Sequence, residues 1–342
     1  MVRHQYIIYW FCLQKHSLSV DEMKLGKFIS FEIVASQYLK YCIKADRLYH
    51  GDGSTIADAI EIFSENWPII NHIQQKAANY SKHNKEAAKI CITLAKTCVL
   101  LLSHSVDLTT QIYWHNAALE CAKLLGDPRE IYLSGNNLAI ALTSSGRERE
   151  SIKILLECKE LAERLKDNVN KTKILNSLGI AHKNLGEFQK AIEFYNEKLD
   201  IIDDEVEELK TYGNFGIIYK EMKDYDKAIY YHNRRLNIAK KIKKLLLISN
   251  AYGDLGITYF NMKNAEKAIT SFRKQLRLME KHKIKDGKGR ALWGLSQALH
   301  LNGERIKAIK IGKEALKISE ERGDSLLEKK RNILIEWMNE SS

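Results

Sequence analysis

The stretch LNSLGIAHKNLGEFQKAIEFYNEKL, from Leu175 to Leu199, decides how the rest of the chain is read. It recurs as YGNFGIIYKEMKDYDKAIYYHNRRL from Tyr212 to Leu236 and as YGDLGITYFNMKNAEKAITSFRKQL from Tyr252 to Leu276, and small, aromatic and charged positions match without a gap. The anchor glycines Gly179, Gly216 and Gly256 are 37 and 40 residues apart. Two further copies fit the frame at 40-residue spacing, one with Ala139 and Ser151, the other with Ser296 and Ala308. A looser helix pair, about Glu86 to Leu102 and Leu108 to Leu124, precedes them, which gives five to six units. Self-similarity at this period marks an array of supersecondary units, each too small to bury its own apolar face.

Each unit reads as two helices joined by a turn. Small residues such as Gly179 with Ala191, or Gly216 with Ala228, are expected to let the two helices of a hairpin approach closely. Tyr212, Phe215, Tyr219, Tyr252, Tyr259 and Phe272 are expected to fill the gaps against the next hairpin. Turns are expected at Leu185-Gly186-Glu187, Lys223-Asp224-Tyr225, Lys263-Asn264-Ala265 and Asn302-Gly303-Glu304, with Gly or Asn in the left-handed cap conformation. Connectors are expected at Gly126-Asp127 and Gly323-Asp324. Only two prolines, Pro68 and Pro128, interrupt the helical potential of 342 residues. The spacing divides the chain into an N-terminal helical region over 1–84, the repeat array over 85–325, and a capping helix over 326–342 carrying Leu327, Ile333, Leu334 and Trp337.

The formal charge of +11 admits an acidic protein surface, a nucleic acid or an anionic membrane as partner. Six cysteines, all in the first half and without a CxxC pair, read as reduced, buried thiols of a cytoplasmic protein. The apolar run Tyr6 to Leu13 is too short for a bilayer span of about 20 residues, and no small-residue cleavage site follows it. No membrane partner is expected. Eleven histidines include no HExxH motif, and His182 stands where sister units carry Tyr219 and Tyr259, so it reads as a packing residue. No nucleophile elbow and no GxxxxGK[ST] loop occurs, and no cofactor, metal or catalytic residue is assigned. Gly51-Asp52-Gly53-Ser54 reads as a helix start with Ser54 as N-cap. Tyr113 and Trp114 are candidates for an exposed aromatic patch or for core.

The order small residue, Tyr, Gly or Asn turn, Ala, then Phe or Tyr resembles the tetratricopeptide repeat over roughly Glu130 to Gly323. The units are longer than the usual repeat of about 34 residues. With phrases such as Tyr230-Tyr231-His232-Asn233-Arg234-Arg235-Leu236 they are similar to repeats of G-protein-signalling modulators and kinesin light chains. The resemblance implies an all-α fold, a right-handed α-solenoid of stacked hairpins, and a concave groove that binds peptides. Tyr38-Leu39-Lys40-Tyr41, Leu48 to Gly53 and Phe63 to Ile70 resemble the segment that joins bacterial NB-ARC signalling ATPases to their repeats. In those proteins the repeats act as a sensor.

In such a solenoid the first helix of each hairpin lines the groove. Directly after the anchors stand Ile140, Ile180, Ile217, Ile257 and Gln297; before them come Asn136, Asn137, Asn176, Asn214, Asp254 and Trp293. Lys173, Lys183, Lys210, Lys220 and Arg290 fall at the edges. The implied groove is an isoleucine stripe with amide residues beside it and a basic rim, suited to a protein or peptide with aliphatic anchors and acidic flanks. The bland reading packs the isoleucines between hairpins and solvates the lysines. A second function class is nucleic-acid binding through Lys240, Lys241, Lys243 and Lys244, with Lys281, Lys283, Lys285 and Lys288 nearby. A third is a sensor arm serving a separate ATPase.

Overall fold

The structure is a computed structural model that describes residues 20–49, 53–284, 287–321 and 327–339. The apolar run Tyr6 to Leu13, Gly51 and Asp52, Lys285, and the Gly323-Asp324 connector lie outside the described residues. Among the described residues there are 16 helices and no strand. They divide into two compact units, Met1–Asp167 and Asn168–Ser342.

The first unit holds α1 (Val20–Tyr49), α2 (Gly53–Tyr80), α3 (Lys85–Thr97), α4 (Val99–Ser105), α5 (Leu108–Leu125), α6 (Pro128–Ser144) and α7 (Glu148–Arg164). The long α1 and α2 pack together over Ala35, Cys42, Ala59, Phe63 and Ile70, and α3 to α5 close the cluster with Leu94, Leu101 and Trp114. Trp114 is core, stacked on Trp67 at 5.3 Å and donating from Nε1 to Asn71 at 2.9 Å, while Tyr113 beside it is exposed. Phe63 and Ile70, from the segment with the NB-ARC likeness, are buried in this cluster. Two expectations need correction. The helix read as continuous from Glu86 to Leu102 breaks at Cys98, where α3 and α4 meet at 63°. Ser54 does not precede its helix, because α2 starts at Gly53.

Five buried free thiols, Cys42, Cys91, Cys98, Cys121 and Cys158, belong to this unit. The Cys91 thiol hydrogen-bonds to Cys121 and holds it down at about 7; contact with Cys42 and burial push Cys98 well up. No single described helix is long and apolar enough to cross a membrane; α3 and α4 pass that test only as a bent pair, and their apolar faces are in the core.

The second unit holds α8 (Asn168–Asn184), α9 (Phe188–Leu199), α10 (Glu205–Glu221), α11 (Tyr225–Lys241), α12 (Leu245–Asn261), α13 (Ala265–Lys281), α14 (Lys288–Leu301), α15 (Arg305–Glu321) and α16 (Leu327–Asn339). Helices pair as α8 with α9, α10 with α11, α12 with α13 and α14 with α15, and each pair packs on the next. The anchor glycines work differently from the expected Gly–Ala approach. Each faces the large residue four places beyond the alanine. A Cβ on Gly179 would stand 2.4 Å from the Tyr195 ring, on Gly216 2.3 Å from His232, and on Gly256 2.8 Å from Phe272. The missing side chain on the first helix thus makes room for a ring from the second. Between pairs, Tyr195 of α9 meets Phe215 of α10 edge-on at 5.8 Å, and within the α10–α11 pair Phe215 and Tyr219 stack on Tyr231 at 4.8 and 5.4 Å.

The turns follow the frame, with one correction. Gly186 and Gly303 take positive φ as expected, but in the Lys223 and Lys263 turns the lysine itself does so, at 63° and 64°. Asp224 and Asn264 stay in negative φ and instead N-cap α11 and α13, accepting from the amides of Lys227 and Lys267 at 3.1 Å. Leu334 of α16 enters beside Gly312 of α15, and Trp337 stacks on Trp293 at 6.0 Å and on His300 at 4.2 Å. The last hairpin is thereby covered.

Candidate functional site

The second unit sets its first helices, α8, α10, α12 and α14, in one row. Asn214 Nδ2 of α10 donates to Asn176 Oδ1 of α8 at 3.1 Å, which fixes the two helices face to face at this register. Ile180 and Ile217 on the same two helices are half-buried, and Ile257 on α12 is 43% exposed. Ile257 thus reaches the surface, while Ile180 and Ile217 are partly covered.

Asp254, Ile257, Arg290, Trp293 and Gln297 line one cavity of about 630 Å³, together with Asn250, Arg235, Gln275, Lys329, Lys330 and Ile333. Asp254 is half-buried and accepts a hydrogen bond from Arg235 of α11. Burial raises the Asp254 carboxyl above its ordinary range, against the pull of Arg235, Lys220 and Arg290. Lys210 is tied to Glu207 at 2.7 Å and Lys173 to Asn170 at 3.3 Å, so part of the expected basic rim is internally paired. Lys183 and Lys220 are half-buried. Asn136, Asn137 and Ile140 lie on α6 of the first unit, where Ile140 is 48% exposed.

Sequence reasoning missed Arg235 and Gln275, which come from second helices and still reach the first-helix face. The reason is local. A Cβ on Gly213 would stand 3.0 Å from Arg235, and one on Gly253 2.8 Å from Gln275, so each glycine opens a passage through the first helix row. Both polar residues stand seven after their alanine anchors, Ala228 and Ala268, as Lys198 does after Ala191. Lys198 is fully buried and turns instead to Glu207 at 2.9 Å. Polar residues at a buried register opposite a glycine were the available signal. Lys329 and Lys330 were missed because α16 was read only as a cap.

His182 stacks on Phe194 at 5.3 Å and bonds Glu187 at 2.7 Å, the packing role expected of it. Lys240 and Lys241 end α11, Lys243 takes positive φ and Lys244 precedes α12. Lys241 pairs with Glu205. Lys240, Lys267 and Lys274 surround a separate cleft of about 390 Å³ beside Tyr252 and Tyr259. No group of three or more His, Cys, Asp or Glu residues is placed to hold a metal among the described residues.

Comparison with known proteins agrees with this geometry. No curated protein matches the chain at a significant level. Among solved structures, BtubC (BKLC) from P. vanneervenii is 19% identical with a TM-score of 0.55, covering 64% of this chain and 93% of its own. Aspartyl phosphate phosphatase F from Bacillus subtilis is 15% identical with a TM-score of 0.56, covering 88% of this chain and 78% of its own. A Rap protein complexed with Competence and Sporulation Factor is 14% identical with a TM-score of 0.53, over 82% and 84%. At such identities the likeness is one of fold. Family models described as tetratricopeptide repeat match residues 129–204, 209–234 and 247–321, together about half of the sequence. With its hairpins, anchors and turns in the same frame, the chain belongs to the tetratricopeptide-repeat family.

Proposed function

We propose that this protein is a non-catalytic, cytoplasmic interaction scaffold or sensor that holds a partner polypeptide on the first-helix face of its second unit. The observation that carries the reading is the row Ile180, Ile217 and Ile257, three β-branched side chains on the successive first helices α8, α10 and α12, two half-buried and one exposed, the last of them lining a polar cavity. Aliphatic residues of the partner lie against this row, and acidic residues face Lys183, Lys220 and Arg290. Burial of the apolar stripe supplies affinity, while the net charge of +11 steers acidic partners. The Rap neighbour in complex with Competence and Sporulation Factor supports the use of this fold for capture. Asn136, Asn137 and Ile140 present a corresponding face on the first unit.

The test is capture from a source-cell lysate by the full chain and by Ile180→Asp/Ile217→Asp/Ile257→Asp, with and without nuclease, after circular dichroism has shown unchanged helicity in the variant. A polypeptide retained by wild type and lost by the variant is the expected result. The cleft of Lys240, Lys267 and Lys274 favours a second reading, nucleic-acid binding. Capture that survives the isoleucine substitutions and disappears with nuclease or raised salt would replace the first reading by that one. Co-capture of a signalling ATPase would identify the chain as its sensor arm.

A further inference from the structure

We propose that the cleft between α11, α12 and α13 is a nucleotide subsite, which seats a nucleobase against Tyr259 and holds the attached phosphate with Lys240 and Lys274. The inference does not rest on the polypeptide reading, because these residues belong neither to the isoleucine row nor to the cavity it leads to. It narrows what the cleft takes from any polyanion to a phosphate with a base attached.

The α10–α11 and α12–α13 hairpins match at a spacing of 40 residues, and one exchange between them empties a ring position. In the first hairpin the Tyr231 ring stacks on Phe215 and Tyr219 and meets Tyr212 at 5.9 Å. Forty residues on, Ser271 replaces Tyr231, Leu255 replaces Phe215 and Thr270 replaces Tyr230, while Tyr252 and Tyr259 keep the places of Tyr212 and Tyr219. All five of these line the cleft of about 390 Å³. Ser271 turns its hydroxyl back to the Lys267 carbonyl at 2.8 Å and leaves the space open. No ring stacks on Tyr252 or Tyr259 among the described residues. In the sister hairpin Tyr219 and Tyr231 lie 5.4 Å apart and within 3° of parallel, which is the arrangement a planar base adopts on Tyr259. Lys227 stands over Tyr219 at 5.1 Å at the same time, so Lys267, over Tyr259 at 5.6 Å, is compatible with a filled slot.

The chemistry of the lining selects the rest of the ligand. Lys240 of α11 and Lys274 of α13 both lie over the Tyr252 ring at 5.8 Å, and neither has a carboxylate partner among the described residues. Two unneutralised ammonium groups at one ring make a positive potential that a phosphate relieves. The lining has one carboxylate, Glu266, and it stands four residues before Thr270 on the same face of α13. Together they offer an acceptor and a hydroxyl donor, which the exocyclic amino group and a ring nitrogen of adenine match. A bare phosphodiester backbone engages the lysines and leaves the ring position empty. The cleft volume, about 390 Å³, falls at the lower end of the roughly 300–1,000 Å³ of small-ligand pockets.

The experiment is isothermal titration calorimetry of the full chain with adenosine monophosphate, and with adenosine, ribose 5-phosphate and phenyl phosphate as partial probes. Adenosine monophosphate is expected to bind about tenfold more tightly than each partial probe, since each lacks the phosphate, the base or the base edge. Lys240→Ala/Lys274→Ala changes two exposed side chains and should weaken adenosine monophosphate about tenfold while leaving adenosine as it was. Ser271→Tyr restores the ring of the sister hairpin and should abolish binding of both, once circular dichroism has shown unchanged helicity. If that variant does not fold, the lysine variant decides, and an unchanged affinity for adenosine monophosphate overturns the proposal. Absence of binding at millimolar adenosine monophosphate, binding that survives a folded Ser271→Tyr, or equal affinity for ribose 5-phosphate also overturns it. Equal affinity for phenyl phosphate does the same and makes the cleft a site for a phosphorylated ring such as phosphotyrosine. A single-stranded oligonucleotide bound by a chain that ignores adenosine monophosphate overturns the subsite and leaves the nucleic-acid reading standing on its backbone contacts.

Discussion

Two side chains of the second unit show how closely its packing is tuned. Gly179 faces the Tyr195 ring so tightly that Gly179→Ala would force the ring or the helix to move. The expected cost is about 1–3 kcal/mol, read as a lower urea midpoint with unchanged slope. His232 occupies the same register and is buried against Gly216; burial, with help from Arg235 and Lys220, lowers it to about 3. Because the folded value is depressed below the ordinary histidine value of 6.5, its stabilising contribution is complete above that pH and is lost as pH falls toward 3. At pH 5 the loss is about 2 kcal/mol. His232→Phe, which copies Phe272, should flatten the pH dependence of the second unit between pH 7.5 and 5, as followed by urea titrations. The alignment identified Gly179 and Gly216 as anchors. What they face was hidden, because the alanines at the second-helix anchor repeat more conspicuously than the varied Tyr195, His232 and Phe272.

At the scale of the element, helix identity was legible from periodicity and from the scarcity of proline, whereas helix ends were governed by single residues. Lys263 adopts φ 64° although a glycine there would relieve the Cβ contact with the backbone. Lys263→Gly should raise the stability of the second unit by about 0.5–1 kcal/mol, after the larger unfolded-state freedom of glycine offsets part of the relief. Asn264 was the residue expected in that conformation, and its side chain explains why it is not there. It is more useful as an N-cap on the Lys267 amide, and the preceding residue must then take the left-handed turn. The break at Cys98 gave no warning either, since neither glycine nor proline marks it. The site was partly readable for a similar reason. Residues on first helices, such as Asp254, Ile257 and Gln297, follow from the frame, but Arg235 and Gln275 belong to second helices and reach the same cavity only through the gaps at Gly213 and Gly253.

At the scale of the whole molecule, the repeat fixes a fold in which every hairpin depends on its neighbours, and the two units share that logic without sharing their chemistry. Among the described residues the buried lysines, Lys198 and Lys330, belong to the second unit, and every cysteine of the chain precedes residue 168. This asymmetry turns the thiols into a reporter. With Cys12→Ser removing the one thiol outside the described residues, a reagent such as dithionitrobenzoate can be consumed only when Cys42, Cys91, Cys98, Cys121 or Cys158 becomes accessible. The second unit is chemically silent. In increasing urea, colour release that tracks the loss of ellipticity means that the two units open together. Release that runs ahead of it means that the first unit opens while the second is still folded, so that a partner bound as proposed on the second unit would protect the helices of one half and leave the labelling of the other untouched.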